Sequence, residues 1–302
     1  MQLLFSLLGT EILTALGMLY LMLGMASLGV GVKLRTRPHS QLRDQVNAWW
    51  WIFPVVTVSL LLHPFGATLL AMLIGLLALR ELAPFAGRGF VVPAAVVFGT
   101  ALFLPAPVAM AALPPAIALT GMIFFRSRSH AALTWLLWLV LCYSCRFLPL
   151  YDSLPLDAHA RLSWLFYLYV LTALNDVAQF ISGTIFGRHR IAPGISPNKT
   201  WQGLLGGVAV SIALSLALGR YLHLAGAAQL TVGALLLSTV CALLLSLGGF
   251  CGDLMFSAAK RALGVKDFSQ LIPGHGGILD RVDSLVVTAP LLYFLITHLL
   301  EK

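Results

Sequence analysis

Charge is what this chain has least of. Asp, Glu, Lys and Arg make up only 10% of its 302 residues, against about 25% in a soluble globular domain. That excludes an ordinary soluble domain. The 59% apolar content excludes intrinsic disorder, which needs low hydrophobicity and high charge. Cysteine is also sparse. Cys142 and Cys145 form a C-x-x-C inside an apolar run with no βαβ pattern around it, and Cys241 and Cys251 stand alone. Neither a disulfide framework nor zinc-type spacing results, and the thiols read as small buried hydrophobes. No basic run carries interleaved aromatics, so the net charge of +8 does not point to nucleic acid. The apolar stretch 3–32 lacks a basic n-region and exceeds the roughly 7–15 residues of a secretory h-region. It reads as a retained first span. Internal repeats, low-complexity segments and a separate soluble domain are absent too.

With a mean hydropathy of +0.92, what is present is a string of membrane spans. A crossing helix takes about 20 apolar residues. Apolar blocks lie at 3–32, 48–62, 65–79, 90–104, 107–125, 131–150, 162–182, 203–222, 230–250 and 284–299. The predicted fold is all-α, a polytopic integral membrane protein of about eight to ten transmembrane helices. The second to fourth blocks are short enough to be half-spans or broken helices. The chain reads as one integral unit, with N-terminal spans over 1–160 and a catalytic membrane region over 161–302. Loops 33–47, 80–89, 126–130, 183–202 and 251–283 hold all 19 basic residues except Arg146, Arg161, Arg220 and Lys302. The positive-inside rule places these loops in the cytoplasm and both termini outside.

Only eleven acids occur, so their placement is informative. Glu11, Asp44, Glu81, Asp152, Asp157 and Glu301 are scattered. Asp176, Asp253, Asp267, Asp280 and Asp283 fall between 176 and 283, at span ends or in the two long loops. Acids near a membrane core are expensive and are functional candidates. Asn175-Asp176 suits either a polar bridge between helices or a ligand or metal contact. If helix continues past residue 250, Asp253, Ser257 and Lys260 share a face at i, i+4 and i+7. A carboxylate, a hydroxyl and an ammonium there suit a metal-bound phosphate, or else an interfacial face with a snorkelling lysine. Asp280 and Asp283 share a face in the first turn of the last span. Helix capping explains one of them better than two. Before them, Pro273-Gly274-His275-Gly276-Gly277 offers backbone freedom and N–H groups suited to phosphate, although it is no Walker A loop. Arg188, His189 and Arg190, followed by Ser196-Pro197-Asn198-Lys199-Thr200-Trp201, read as an anion site or as topology signals.

Carboxylates for an oxygen-loving divalent cation and cations for phosphate, gathered at one membrane face, are the apparatus of phosphoryl or nucleotidyl transfer to a lipid-borne group. A transporter or channel would also use intramembrane acids and broken helices, but these acids cluster at one face and no repeat symmetry shows. An inactive scaffold would not need all five clustered acids.

The stretch from Ser257 to Asp283 closely resembles the signature of the phosphatidate cytidylyltransferase (CDP-diacylglycerol synthase) family. The matching positions are Ser257, Lys260-Arg261, Lys266-Asp267, Ser269, Pro273, His275-Gly276-Gly277, Asp280-Arg281 and Asp283. A second family-like stretch runs from Asn175 through Gly187 to Trp201. The likeness covers roughly the last 130 residues; the first 160 are similar only as a string of spans. Phe256, Ala259, Gln179 and Gln202 depart from the usual pattern, which suggests a divergent branch. The resemblance implies an all-helical membrane fold that forms a homodimer. It implies transfer of CMP from CTP to phosphatidic acid, or to another membrane lipid phosphate in a divergent branch. It implies Mg²⁺ held by Asp253 and Asp280, with room for a second, monovalent cation. Asp267 and Asp283 would orient that centre. Lys260, Arg261, Lys266 and Arg281 would offset charge on the leaving pyrophosphate. Ser196, Asn198, Lys199, Thr200, Ser257, Gly276 and Gly277 would bind substrate, and Asn175 and Asp176 would contact ribose, base or metal. His275 would donate a proton to pyrophosphate or serve as a hydrogen-bonding loop residue. The expected setting is a bacterial inner membrane, with the site facing the cytoplasm.

Overall fold

Lipid offers no hydrogen bonds, so a chain this apolar must satisfy its backbone internally, and helices do so. The computed structural model describes residues 2–33, 41–87, 89–224, 231–272 and 276–300. Ten helices are present among them: α1 (Gln2–Lys33), α2 (Gln41–Leu61), α3 (Gly66–Ala86), α4 (Val91–Phe103), α5 (Ala106–Ser127), α6 (His130–Leu150), α7 (Ala158–Phe186), α8 (Trp201–Tyr221), α9 (Val232–Ala262) and α10 (Leu279–Leu300). Eight carry a long apolar span, while α2 and α4 contribute shorter apolar stretches, Val46–Leu61 and Val91–Phe103. This matches the expected all-α architecture. The third apolar block is longer than expected because α3 continues through Arg80 and Glu81 to Ala86.

Helices α7 and α9 overshoot the bilayer. At 1.5 Å per residue, α7 with 29 residues and α9 with 31 run about 44 and 47 Å, against about 30 Å of hydrocarbon. The loops expected at 183–202 and 251–283 therefore shrink to 187–200 and 263–278. Asp176 lies ten residues before the end of α7 and Asp253 nine before the end of α9, so both sit inside the bundle rather than in a loop. The 187–200 connection also holds an element that composition does not announce. It is a two-stranded antiparallel ribbon, β1 (Arg190–Ala192) and β2 (Ser196–Thr200), paired at Arg190↔Thr200 and Ala192↔Ser196.

Contacts between chain-distant helix ends sort into two sets. At one end His63 Nδ1 meets Asp152 Oδ1 at 3.0 Å, His159 meets Glu11 at 3.6 Å, and Arg146 donates to the Leu104 carbonyl at 3.1 Å. At the other, Glu81 meets the 263–278 loop and Arg261 Nε donates to the Ile195 carbonyl at 3.2 Å. Successive helices thus alternate in direction. The close approaches are made by small residues, as in membrane bundles generally. A Cβ at Gly206 or Gly207 of α8 would overlap Ser182 or Gln179 of α7, and one at Gly252 would overlap the Asp283 carbonyl. The first six helices are not a separate body. Tyr151 Oη donates to the Ala289 carbonyl of α10 at 3.0 Å, and one apolar cluster includes Ile74, Leu141, Phe256 and Val286.

Candidate active site

The site grows from α9. Its helical period carries Asp253, Ser257 and Lys260 onto one face, and Ser257 Oγ donates to Asp253 Oδ1 at 3.2 Å. Beside it, the ribbon delivers Lys199, whose Nζ forms an ion pair with Asp253 Oδ2 and lies 5.4 Å from the Phe250 ring centroid. Burial opposes the charge on Lys199. Asp253, backed by Asp176 and Asp283, outweighs it and raises the ammonium above its ordinary value. The ribbon is aimed by two caps. Thr200 Oγ1 accepts from Gly203 N at 3.1 Å as the N-cap of α8, the ordinary use of a threonine at that position. Gln202 Oε1 accepts from Arg188 N and His189 N at 3.0 and 3.1 Å.

Lys260 reaches across to α10, where its Nζ stands 2.6 Å from Asp280 Oδ1. The other oxygen of Asp280 accepts from Gly277 N at 2.9 Å and Phe268 N at 3.3 Å. Here the expected phosphate cradle is filled from within. Gly277 N is given to Asp280, and the Ile278 and Leu279 amides are given to Glu81 at 2.7 and 3.1 Å. Those three amides are spent on carboxylates because a helix start leaves its first N–H groups unpaired, and buried donors must find acceptors. Gly276 adopts φ +77°, and a Cβ there would stand 2.7 Å from Asp280 Oδ2. Only glycine combines that conformation with that approach.

The remaining predicted residues divide. Asn175 is a bridge: its Oδ1 accepts from Ser211 Oγ of α8 at 3.1 Å and Ser246 Oγ of α9 at 2.7 Å. Asp176 has a buried Oδ1 without a hydrogen-bond partner, electrostatically close to Lys199, Asp253 and Arg281. Asp283 is buried, with Oδ1 accepting from Ser284 N at 2.8 Å. Ser196 and Asn198 lie in β2 without side-chain hydrogen bonds among the described residues, and Arg281 is exposed at the start of α10. Lys266 and Asp267 are exposed in the 263–278 loop and make no side-chain hydrogen bond or ion pair among the described residues. Asp267 is therefore not joined to the other four acids. His275 lies outside the described residues. Among those described, no three acids, histidines or cysteines are arranged to hold a metal ion between them.

Glu81 is the residue that sequence reasoning passed over. It stands among the scattered acids, yet its carboxylate accepts from Ser269 Oγ at 2.7 Å as well as from the two amides.

The arrangement offers paired carboxylates and ammoniums, partly buried at one end of a lipid-embedded bundle, with Asp176 near the Lys199–Asp253 pair keeping one buried oxygen without a hydrogen-bond partner. That suits the binding and transfer of phosphate-bearing groups. Comparison with known proteins agrees. The uncharacterized protein YnbB of Escherichia coli K12 is 42% identical over 132 residues, 44% of this chain and 42% of that protein. The phosphatidate cytidylyltransferase of Staphylococcus epidermidis RP62A is 39% identical over 135 residues, 45% of this chain and 49% of that one. The phosphatidate cytidylyltransferase of Brucella suis biovar 1 is 42% identical over 127 residues, 42% of this chain and 44% of that one. The aligned region spans half or less of each relative's length. The family model reaches further, through residues 43–299, and so takes in α3 and Glu81 as well as the signature. On that span, the chain belongs to the cytidylyltransferase family.

Proposed function

We propose that this protein is a membrane nucleotidyltransferase, a phosphatidate cytidylyltransferase. It transfers CMP from CTP to phosphatidic acid, giving CDP-diacylglycerol and pyrophosphate for phospholipid biosynthesis. The observation that carries the reading is the double pairing Lys199–Asp253 and Lys260–Asp280 at one end of an apolar bundle. Two of the similar proteins bear the name phosphatidate cytidylyltransferase, which supports it.

In this reading a lipid phosphate oxygen attacks the α-phosphorus of CTP in line. The bond from that phosphorus to the bridging oxygen breaks, and pyrophosphate leaves with the electron pair. A phosphate nucleophile is largely ionised at pH 7, so no strong general base is required. Lys199 grips the phosphates, with Thr200 holding the ribbon that carries it. Lys260, Arg261, Lys266 and Arg281 offset the charge that grows on the leaving group. The donor set fits magnesium, which prefers carboxylate oxygens. In each pairing an ammonium stands where a cation's charge would fall, and Asp176 keeps a buried oxygen without a partner. Asp253 and Asp280 are the proposed ligands, with Asp176 beside them and room for a second, monovalent cation. When bound, magnesium would neutralise phosphate oxygens during transfer. The basic residues gathered at the site end favour a cytoplasm-facing site in a bacterial inner membrane. A homodimer belongs to the same proposal.

The test is pyrophosphate release by the detergent-purified protein with CTP, Mg²⁺ and phosphatidic acid, each omitted in turn. Release that needs all three is the expected result. No release with CTP still bound would move the acceptor to another lipid phosphate. No CTP binding would remove the enzyme reading and bring forward a scaffold or a transporter.

A further inference from the structure

Glu81 belongs to α3, in the first half of the chain, and is only 5% exposed. Its carboxylate accepts three hydrogen bonds, from Ser269 Oγ at 2.7 Å, Ile278 N at 2.7 Å and Leu279 N at 3.1 Å. All three donors lie in the 263–278 loop or in the first residue of α10. Among the described residues no cation pairs with Glu81, so its charge rests on two backbone dipoles and one hydroxyl. Burying a carboxylate on those terms is costly. If the residue served only to hold α3 in the bundle, an apolar side chain would do it better. The geometry around it is specific. A Cβ at Gly277 would stand 2.5 Å from both Glu81 oxygens. One turn along α3, Phe85 meets the Phe268 ring edge-on with centroids 6.5 Å apart. Helix α3 therefore touches the segment at 268–269 and again at 277–279. These stretches flank or include the two amides, Phe268 N and Gly277 N, that hold Asp280.

We propose that Glu81 is a positioning residue of the transfer reaction: its carboxylate fixes the backbone at 277–279 so that Asp280, with Lys260 paired to it, faces the phosphates in one orientation. The inference rests on the cytidylyl-transfer reading above for its kinetic part only. The first half of the chain then completes the catalytic loop as well as filling the membrane.

The test compares full-length wild type with Glu81→Gln, Glu81→Ala, Ser269→Ala, Gly277→Ala and the Glu81→Ala/Gly277→Ala double variant in lipid nanodiscs. Amide hydrogen exchange reports the loop, and steady-state pyrophosphate release with CTP and phosphatidic acid reports turnover. Glu81→Gln is expected to speed exchange at Ile278 and Leu279 by about tenfold or more, the size of losing a hydrogen bond to a charged group, while α7 and α8 stay protected. It is expected to lower kcat about ten- to hundredfold, as loss of a supporting partner does, with KM for CTP nearly unchanged. Ser269→Ala, which loses one bond of three, should move both readouts less. The double variant should be no worse than Glu81→Ala alone, because the two positions act through one contact. A merely structural role would lower yield and melting temperature and leave kcat per folded molecule intact. That result, or unchanged exchange at Ile278 and Leu279, overturns the proposal. If Glu81→Ala does not fold, Glu81→Gln and Ser269→Ala decide it. A wild type without turnover would count against cytidylyl transfer alone, and the exchange comparison would then decide the role of Glu81.

Discussion

Removing Asp280 and removing Asp253 make different demands on their surroundings. Asp280 takes an ammonium and two amides on two oxygens. Truncating it strands Lys260, whose side chain is only 12% exposed, and breaking a buried pair from one side costs up to about 3–5 kcal/mol. Asp253 leaves behind Lys199, which still has Asp176 and Asp283 to balance it. We expect Asp253→Ala and Asp280→Ala both to insert into the membrane and both to cut pyrophosphate release at least about a hundredfold. Only Asp280→Ala should also lower the thermal unfolding midpoint strongly. Near-normal turnover in either purified variant would end its assignment as a metal ligand. Both acids were legible in the sequence because each sits in a local pattern, a helical stripe for one and a glycine-rich helix start for the other. Asp280 accepts from Gly277 N just before α10, whereas the Ile278 and Leu279 amides at the helix start go to Glu81. Glu81 had no such pattern. Its partners are 188 to 198 residues away along the chain, and nothing within a turn of it signals them.

Where α9 and α10 cross, the spacing of the helices is set by glycine, and this decides how the site's acids face one another. A Cβ on Gly252 would overlap the Asp283 carbonyl, which is backbone and cannot swing away. A Cβ on Gly248, one turn earlier, would meet the Leu291 Cδ1 methyl at 2.7 Å, the movable end of a side chain. Gly252→Ala is therefore expected to push α10 off α9, lowering the melting temperature and cutting turnover by about tenfold or more, since small misplacements of reacting groups are expensive. Gly248→Ala should be close to neutral in both. Equal effects of the two substitutions would argue that the crossing is not set at Gly252. The existence and direction of these helices were legible from apolar length alone. The ribbon at 190–200 was not. Its strands have three and five residues, and the chain entering them at 188–189 is held by a side chain of the next helix, Gln202, a bond with no counterpart in strand propensity.

Over the whole molecule, charge is divided between the two ends of the bundle. Arg80, Arg126, Arg128, Arg188, Arg190, Lys260, Arg261, Lys266 and Arg281 all lie at the site end, against Arg146, Arg161 and Arg220 toward the other. Of those three, Arg146 and Arg161 donate to backbone carbonyls, Leu104 and Asp152, so they are committed to closing loops. By the positive-inside rule a segregation of this kind is expected to put the basic end in the cytoplasm, the side on which the proposed reaction would find CTP. The consequence can be tested without any enzymology. Cys251 is exposed and the other three cysteines are buried, so Cys251→Ser gives a background of low reactivity. Into it go Ser153→Cys, in the turn before α7, and Arg190→Cys, in the ribbon after it; both positions are exposed. A membrane-impermeant maleimide applied to spheroplasts is expected to label position 153 and spare position 190, and inverted vesicles should give the reverse. The opposite pattern would turn the protein over and put the site outside the cell. Labelling of both positions from one side would mean that α7 does not cross, and the alternation of all the helices after it would have to be redrawn.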